Sequence, residues 1–160
     1  MSFSPRDFRD CLGQFTTGVA VVTTRAKDGS KAGITINSFA SVSLDPALVL
    51  FSVDARAATH ALFAGECTEF CINILHQDQK NISELFSAPG QTEWDDIGYE
   101  SDSLGMPRLK GSLAAFTCKR HAIHDGGDHS IIVGHVQELV MGQTGKPLLY
   151  YGGRYRALEG

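Results

Sequence analysis

Short polar side chains lie between two apolar runs in the segment from Gly33 to Val53. The polar residues are Thr35, Asn37, Ser38, Ser41 and Ser43. Asp45-Pro46 then separates them from the apolar run 47–53, because proline fixes φ and has no backbone donor. Small hydroxyl and amide groups at the end of a rigid strand can hydrogen-bond a flat polar ligand. The same residue types also satisfy turn and strand-end backbone groups, so the segment alone leaves both interpretations open.

A second candidate is the segment from Asp54 to His60, which is predicted to open a short helix continuing through Phe63. A helix N-terminus has unpaired N–H groups and a partial positive charge, which suit a phosphate. Arg56 adds a full charge and Thr59 adds a hydroxyl. An ordinary capped helix with a solvated arginine would have the same sequence.

The glycine-flanked turn Gly126-Gly127-Asp128 places His129 where a side chain can reach a ligand, although it can also bond its own backbone. Together with His121 and His124 it forms a pattern that matches no standard zinc motif. On a strand, His121 and His124 would point to opposite faces, so no metal site is predicted. Near the C-terminus, Tyr150, Tyr151 and Tyr155 are expected to line a ligand ring or to pack the end of a barrel.

The composition limits the possible functions. The chain has 160 residues, with 14 basic and 18 acidic side chains and a net charge of −4, so no electrostatic footprint for nucleic acid is present. No apolar run approaches the roughly 18 residues of a membrane span, and the N-terminus lacks the features of a signal peptide. We therefore expect a cytoplasmic protein with a single domain over residues 1–160. Four cysteines are too few for a disulfide scaffold and are interpreted as structural thiols.

The predicted elements that position these residues are mainly strands joined by tight turns. A first helix is capped by Ser4-Pro5 and ended by Gly18, with Phe8, Cys11, Leu12 and Phe15 expected to face the core. A second helix is predicted over 78–86, followed by a long loop, 87–110, without structure of its own. The predicted strands are 19–25, 32–37, 47–53 (fully buried), 68–75, 113–123, 130–140 and 148–151. This order favours an antiparallel barrel over a βαβ sheet, and neither a Rossmann fingerprint nor a P-loop occurs.

Four segments together resemble the short-chain flavin reductase family, the NAD(P)H:flavin oxidoreductases that supply reduced flavin to two-component monooxygenases. They are 17–24, 33–53, the Gly-Asp-His turn with the strand at 126–136, and 147–155. In order and spacing they cover nearly the whole chain. The resemblance implies a mainly β, split β-barrel (Greek-key) flavin-binding fold with a few short helices. It also implies a homodimer with sites near the dimer interface.

The resemblance also implies the ligands and their residues. FAD or FMN would be the flavin, NADH or NADPH the hydride donor, and a separate monooxygenase the partner. His129 would contact the nicotinamide side. The implied flavin-binding residues are Thr35, Ile36, Asn37, Ser38, Ser41, Ser43, Ser52, Arg56, Ala58, Thr59 and Tyr155. Ala58 stands where a common form of the family motif has serine, which puts one phosphate contact in doubt.

Three functions agree with these residues. The first is an NAD(P)H-dependent flavin reductase, and the second is a non-enzymatic flavin-binding electron carrier on the same barrel. The Gly-Asp-His turn favours the enzyme, since a carrier needs no nicotinamide site. The third is an oxidase with tightly bound FMN, similar to pyridoxamine phosphate oxidases, and the C-terminal segment argues against it. The preferences between FAD and FMN and between NADH and NADPH remain open.

Overall fold

The computed structural model describes residues 2–90 and 92–159, and strands make up most of its regular structure. The helical elements are two α-helices, α1 (Pro5–Leu12) and α2 (Lys80–Ser87), a π-helix, Ala61–Glu66, and a 3-10 turn, Gln77–Gln79. The strands are β1 (Thr17–Gly18), β2 (Ala20–Arg25), β3 (Lys31–Ile36), β4 (Ala40–Leu44), β5 (Ala47–Asp54), β6 (Glu69–Ile74), β7 (Tyr99–Ser101), β8 (Pro107–Leu109), β9 (Ala114–Asp125), β10 (His129–Met141), β11 (Leu149–Tyr151) and β12 (Arg154–Arg156). The prediction of a mainly β protein with a few short helices is confirmed.

The main sheet is antiparallel and has seven strands in the order β3-β2-β6-β9-β10-β5-β4. Its two edge strands, β3 and β4, are consecutive in the chain, so residues 37–39 cross from one edge of the sheet to the other. Two smaller sheets, β1-β11-β12 and β7-β8, complete the fold. The crossing segment therefore runs between the two edge strands of the main sheet, outside the strand ladder, and its polar residue Asn37 is exposed.

Edge-to-face aromatic contacts form the centre of the core. The ring centroid of Phe51 lies 5.8 Å from that of Phe63 and 5.3 Å from that of Phe70. These rings are fully or almost fully buried. Strand β5 was predicted to be fully buried, but only alternate residues are, because one face packs on the core and the other faces outward.

Helix α1 begins as predicted, with Ser4 in a capping box and Pro5 in the first turn. It ends at Leu12 rather than at Gly18, and the prediction that its apolar side faces the core is wrong. Phe8, Leu12 and Phe15 are 52%, 56% and 77% exposed. Gly152 N–H donates to Gly13 O at 2.9 Å and joins the C-terminal end of α1 to the turn between β11 and β12. None of the residues of α1 is buried.

The segment 87–110 was predicted to lack structure, but it contains the β7-β8 hairpin. The buried side chain of Asn73 ties this hairpin to the main sheet, since its Oδ1 accepts from Leu109 N at 2.8 Å and its Nδ2 donates to Val21 O at 3.0 Å. A second hydrogen bond connects the hairpin to β9, since Asp102 Oδ2 accepts from Thr117 Oγ1 at 2.8 Å. Buried side-chain partners of this kind are not visible in hydrophobic periodicity.

None of the helices within residues 2–90 and 92–159 has the length and apolar character needed to cross a membrane.

Candidate functional site

A cleft of about 210 Å³ opens between the crossing segment and the start of β10, and we call it the histidine cleft. Its lining is Ile34, Thr35, Ile36, Asn37, Ser38, Ser52, Asp54 and His129. The structure thus brings together the polar segment, the end of β5 and the Gly-Asp-His turn, which are far apart in the sequence. Pairing of β5 with β10, with Asp54 opposite His129, produces this arrangement.

The crossing segment presents unfilled hydrogen-bond donors to this cleft. Within the described residues, the backbone N–H groups of Asn37 and Ser38 and the side-chain amide of Asn37 have no partner. Exposed donors without protein acceptors are available to a ligand, whereas a buried donor without a partner would destabilise the fold. Asn37 is exposed, so these groups fit the carbonyl and ring nitrogen acceptors of a flat heterocycle.

Two other hydroxyls of the segment already have partners. Ser38 Oγ accepts from Ser52 N at 2.9 Å and lies 3.3 Å from Ser52 O. It therefore joins the crossing segment to β5 just beyond the last ladder pair of β4, Ala40 with Leu50. Thr35 Oγ1 donates to Ser83 O at 2.7 Å. Thr35 can still accept a hydrogen bond from a ligand, but its hydroxyl proton is occupied.

His129 is held by its neighbour. Its Nδ1 lies 2.7 Å from Asp128 Oδ1, and its side chain is 41% exposed. Because a carboxylate only accepts, Nδ1 carries the proton of this bond, and Nε2 remains without a partner in the described part of the chain. Nε2 is therefore the atom with which His129 can contact a ligand.

The predicted helix at 54–60 begins later than expected. Residues 55–59 form turns, and the π-helix starts at Ala61. Arg56 folds back on Asp54, with its Nη2 2.8 Å from Asp54 Oδ2. This hydrogen-bonded guanidinium lowers the pKa of the Asp54 carboxyl well below its usual range. The early turn forms because Asp54 Oδ1 also accepts from Arg56 N at 2.8 Å, which closes the backbone before a helix can start.

The same turn keeps two free amides. The N–H groups of Ala55, Ala57 and His60 donate to backbone carbonyls. Those of Ala58 and Thr59 have no acceptor among residues 2–90 and 92–159. Although residue 58 is alanine and not serine, its backbone N–H is still free to donate to a phosphate. Two amides, the Thr59 hydroxyl and Arg56 form a suitable phosphate-binding group beside the histidine cleft.

A second cleft of about 390 Å³ adjoins the first, and we call it the tyrosine cleft. Its lining is Val19, Thr35, Ile36, Asn37, Ser83, Ser87, Tyr150, Gly153 and Tyr155. The structure thus places Tyr155 beside the polar segment. Ser83 and Ser87 were not singled out from the sequence, because serines within a helix are unremarkable. Ile82, Leu85 and Phe86 follow a helical spacing in the sequence, but the buried residues of α2 are Ser83 and Phe86, and Leu85 is 38% exposed.

Ser41 and Ser43 line neither cleft. They lie on the edge strand β4, where a bulge at Val42 interrupts the pairing with β5. Within the described residues, no group of three or more His, Cys, Asp or Glu side chains is placed to hold a metal ion, and His121 and His124 are exposed on β9.

Residues 12–159 match the model of the flavin reductase like domain, and the chain belongs to this family. The predicted family resemblance is thereby confirmed.

Two relatives match most of the chain. The FMN reductase (NADH) SmoA of Agrobacterium fabrum is 46% identical over 150 residues, which are 94% of this chain and 84% of that protein. The reductase subunit HsaB of a flavin-dependent monooxygenase from Rhodococcus jostii is 37% identical over 158 residues, 99% of this chain and 80% of that protein.

A solved structure gives the same fold. The NADH:FAD oxidoreductase SgcE6 of Streptomyces globisporus, determined in complex with NAD and FAD fragments, superimposes with a TM-score of 0.91 at 31% identity. The match covers 99% of this chain and 97% of that chain. The predicted split β-barrel fold is confirmed.

Proposed function

We propose that this protein is an NAD(P)H-dependent flavin reductase, which transfers hydride from a nicotinamide to FAD or FMN and supplies the reduced flavin to a separate monooxygenase. The observation that carries the proposal is the histidine cleft. In it, the unfilled donors of Asn37 and Ser38 face the same space as His129. The family assignment and the reductase components among the relatives support the same activity.

Each part of the site has a proposed role. Thr35, Ile36, Asn37 and Ser38 would contact the flavin ring, and Tyr155 would lie beside it. Ser52 would contact the ribityl chain, and Arg56, Ala58 and Thr59 would bind the phosphate. His129 would contact the nicotinamide through Nε2. Ser41 and Ser43 lie outside both clefts and receive no role.

The chemistry of the step belongs to the two bound nucleotides, because hydride passes from nicotinamide to flavin N5 without a protein acid or base. The residues of this chain align the rings and exclude water. The N–H groups of Asn37 and Ser38 offer positive dipoles where negative charge grows on the flavin ring. Asp128 fixes the orientation of His129, so that Nε2 faces the ligand in one tautomer.

The electron carrier is the alternative function. A carrier would need the flavin contacts but not a histidine that is oriented by a carboxylate and directed at the same cleft. The Asp128–His129 pair therefore favours the enzyme.

Three further features belong to the proposal. Residues 1–160 would form one domain, since strands from β1 to β12 pair across the length of the chain.

Two copies would form a homodimer that covers exposed apolar side chains such as Leu44, Leu139 and Met141, which are 97%, 65% and 80% exposed. The enzyme would act in the cytoplasm, where its nicotinamide donor and monooxygenase partner would be available.

The first test is NADH and NADPH consumption by the purified protein in air, without flavin and then with FAD or FMN. We expect turnover that rises steeply with added flavin and saturates. A yellow protein that never consumes either nicotinamide would overturn the enzyme and support the carrier.

A further inference from the structure

Asp54 lies in the site but has no role in the function proposed above. It is the last residue of β5, it lines the histidine cleft, and it stands opposite His129 in the ladder between β5 and β10. A carboxylate repels the phosphate group of a flavin nucleotide. A negative charge two residues from Arg56, the proposed phosphate ligand, therefore opposes the binding of that phosphate.

The carboxylate of Asp54 holds the guanidinium of Arg56 with both of its oxygens. Oδ2 accepts from Nη2 at 2.8 Å, and Oδ1 accepts from Nε at 3.1 Å. Two parallel bonds of this kind are also the geometry in which an arginine binds a phosphate. Asp54 therefore occupies one edge of the guanidinium that a phosphate could use, and it leaves the edge that carries Nη1.

The same pair cancels the charge that would attract a phosphate. The pKa of the Asp54 carboxyl is well below its usual range, first because the side chain of Arg56 donates to it and then because the Arg56 N–H does, so Asp54 is charged at neutral pH. Opposite charges in direct contact present almost no net charge to a ligand. The turn can attract an anion strongly only when Arg56 and Asp54 separate.

The partners for a separated state are already in place. The N–H groups of Ala58 and Thr59 have no acceptor among residues 2–90 and 92–159, and the side chain of Arg56 is 81% exposed. An ion pair this exposed is only weakly stabilising. The backbone bond from Arg56 N to Asp54 Oδ1, at 2.8 Å, closes the turn independently of the guanidinium. Replacing the carboxylate by a phosphate therefore needs a rotation of one side chain and no change of the backbone.

We propose that Asp54 is a specificity-determining residue, which competes with the flavin phosphate for Arg56 and so limits the preference of the site for phosphorylated flavins. In the free protein the carboxylate takes the place of the phosphate, and on binding of FMN the guanidinium moves from Asp54 to the ligand. Breaking the ion pair offsets part of the affinity that the phosphate contributes. The inference rests on the proposed function, because it requires the flavin phosphate to bind beside Arg56, Ala58 and Thr59.

Asp54→Asn tests the competition with a small change of shape. The asparagine side chain can still accept from Arg56 N through its Oδ1, but it has no charge and cannot hold the guanidinium with two acceptors. Asp95→Asn is the matched control, because it changes the net charge of the chain by the same amount. Asp95 is exposed and forms no ion pair in the part of the chain that the structure describes.

The Kd of FMN and the Kd of riboflavin are measured by quenching of flavin fluorescence at low salt, where charges are weakly screened. Loss of a surface ion pair corresponds to about a three- to fivefold change, so Asp54→Asn should lower the Kd of FMN by about this factor. The Kd of riboflavin, which has no phosphate, should not change. In an Arg56→Ala background the same substitution should lower the Kd of FMN by a smaller factor, because no guanidinium is left to compete for.

Tighter binding of FMN alone, with a smaller effect when Arg56 is absent, supports the competition. An equal effect in the Arg56→Ala background would mean that Asp54 only repels the phosphate directly, and weaker FMN binding would mean that Asp54 orients Arg56 for the phosphate. Either result would overturn the proposal, as would an unchanged Kd, an equal effect on riboflavin or the same effect from Asp95→Asn.

The proposed enzymatic activity can fail separately from the competition, because the titrations measure binding and need no turnover. If the wild-type protein binds FMN but consumes neither NADH nor NADPH, the reductase function fails, and the Kd values still decide the role of Asp54. Undetectable FMN binding by both the wild-type protein and Asp54→Asn would overturn both proposals.

Discussion

The hydroxyl groups of Ser83 and Tyr155 lie 2.8 Å apart and join α2 to the last strand of the chain. Ser83 is fully buried, and its carbonyl also accepts from Thr35 Oγ1 at 2.7 Å. One residue of α2 therefore contacts both the polar segment and the C-terminal tyrosine. This arrangement sets the width of the tyrosine cleft.

The first prediction concerns this contact. Ser83→Ala removes a buried hydroxyl and should lower the free energy of unfolding by about 1–2 kcal/mol. Tyr155→Phe removes the same hydrogen bond but keeps the ring, so it is the matched partner for a double-mutant cycle. Denaturant unfolding of both single variants and of the double variant should give a coupling energy of about 0.5–1.5 kcal/mol. A coupling energy near zero would mean that the two hydroxyls do not stabilise each other.

The polar segment could be predicted from the sequence because its residue types are unusual between apolar strands. Thr35 lies on β3, and Asn37 and Ser38 follow directly after the end of that strand; all three line the histidine cleft. His129 was predicted from its glycine turn for a similar local reason. Positions of this kind depend on neighbouring residues in the chain, and local patterns therefore reveal them.

Other parts of the site depend on tertiary contacts that no local pattern contains. Ser83 occupies a helix whose apolar spacing was predicted, but its partners are 48 and 72 residues away. The apolar side of α1 was predicted to be buried, because periodicity indicates an apolar face and does not indicate what covers it. The turn at Arg56 was predicted as a helix, because the pairing of Arg56 with Asp54 competes with helical hydrogen bonds.

The second prediction concerns His129. His129→Ala should raise the KM for NADH several-fold more than the KM for flavin, because Nε2 would contact only the nicotinamide. His124→Ala is the control, since His124 is an exposed histidine of the same hairpin outside the cleft. Steady-state kinetics with each substrate varied in turn checks this. Equal changes for both substrates would remove His129 from the nicotinamide side.

The third prediction concerns the thiols. Cys11 is exposed, whereas Cys67, Cys71 and Cys118 are buried. Burial raises the pKa of Cys118 to about 12 and raises that of Cys67 and Cys71 above the ordinary thiol value. At pH 8 these three thiols therefore stay protonated, and only the thiolate reacts with alkylating reagents.

Labelling the native protein with iodoacetamide should therefore modify Cys11 rapidly and the other cysteines only after unfolding. Mass spectrometry of peptides from native and denatured samples locates the label. Cys11→Ser should abolish the rapid reaction. Rapid native labelling of Cys71 or Cys118 would show that the core opens on the timescale of the reaction.

The last prediction concerns Arg56, whose guanidinium pairs with Asp54 beside the free amides of Ala58 and Thr59. Arg56→Ala should raise the KM for FMN several-fold while leaving turnover at saturating FMN nearly unchanged, because a phosphate contact lies far from the reacting atoms. Riboflavin lacks the phosphate, so its KM should not change in the variant. Rates measured with both flavins separate charge recognition from a general disturbance of the turn. If the KM for riboflavin rises as much as that for FMN, Arg56 supports the fold of the turn and does not bind phosphate.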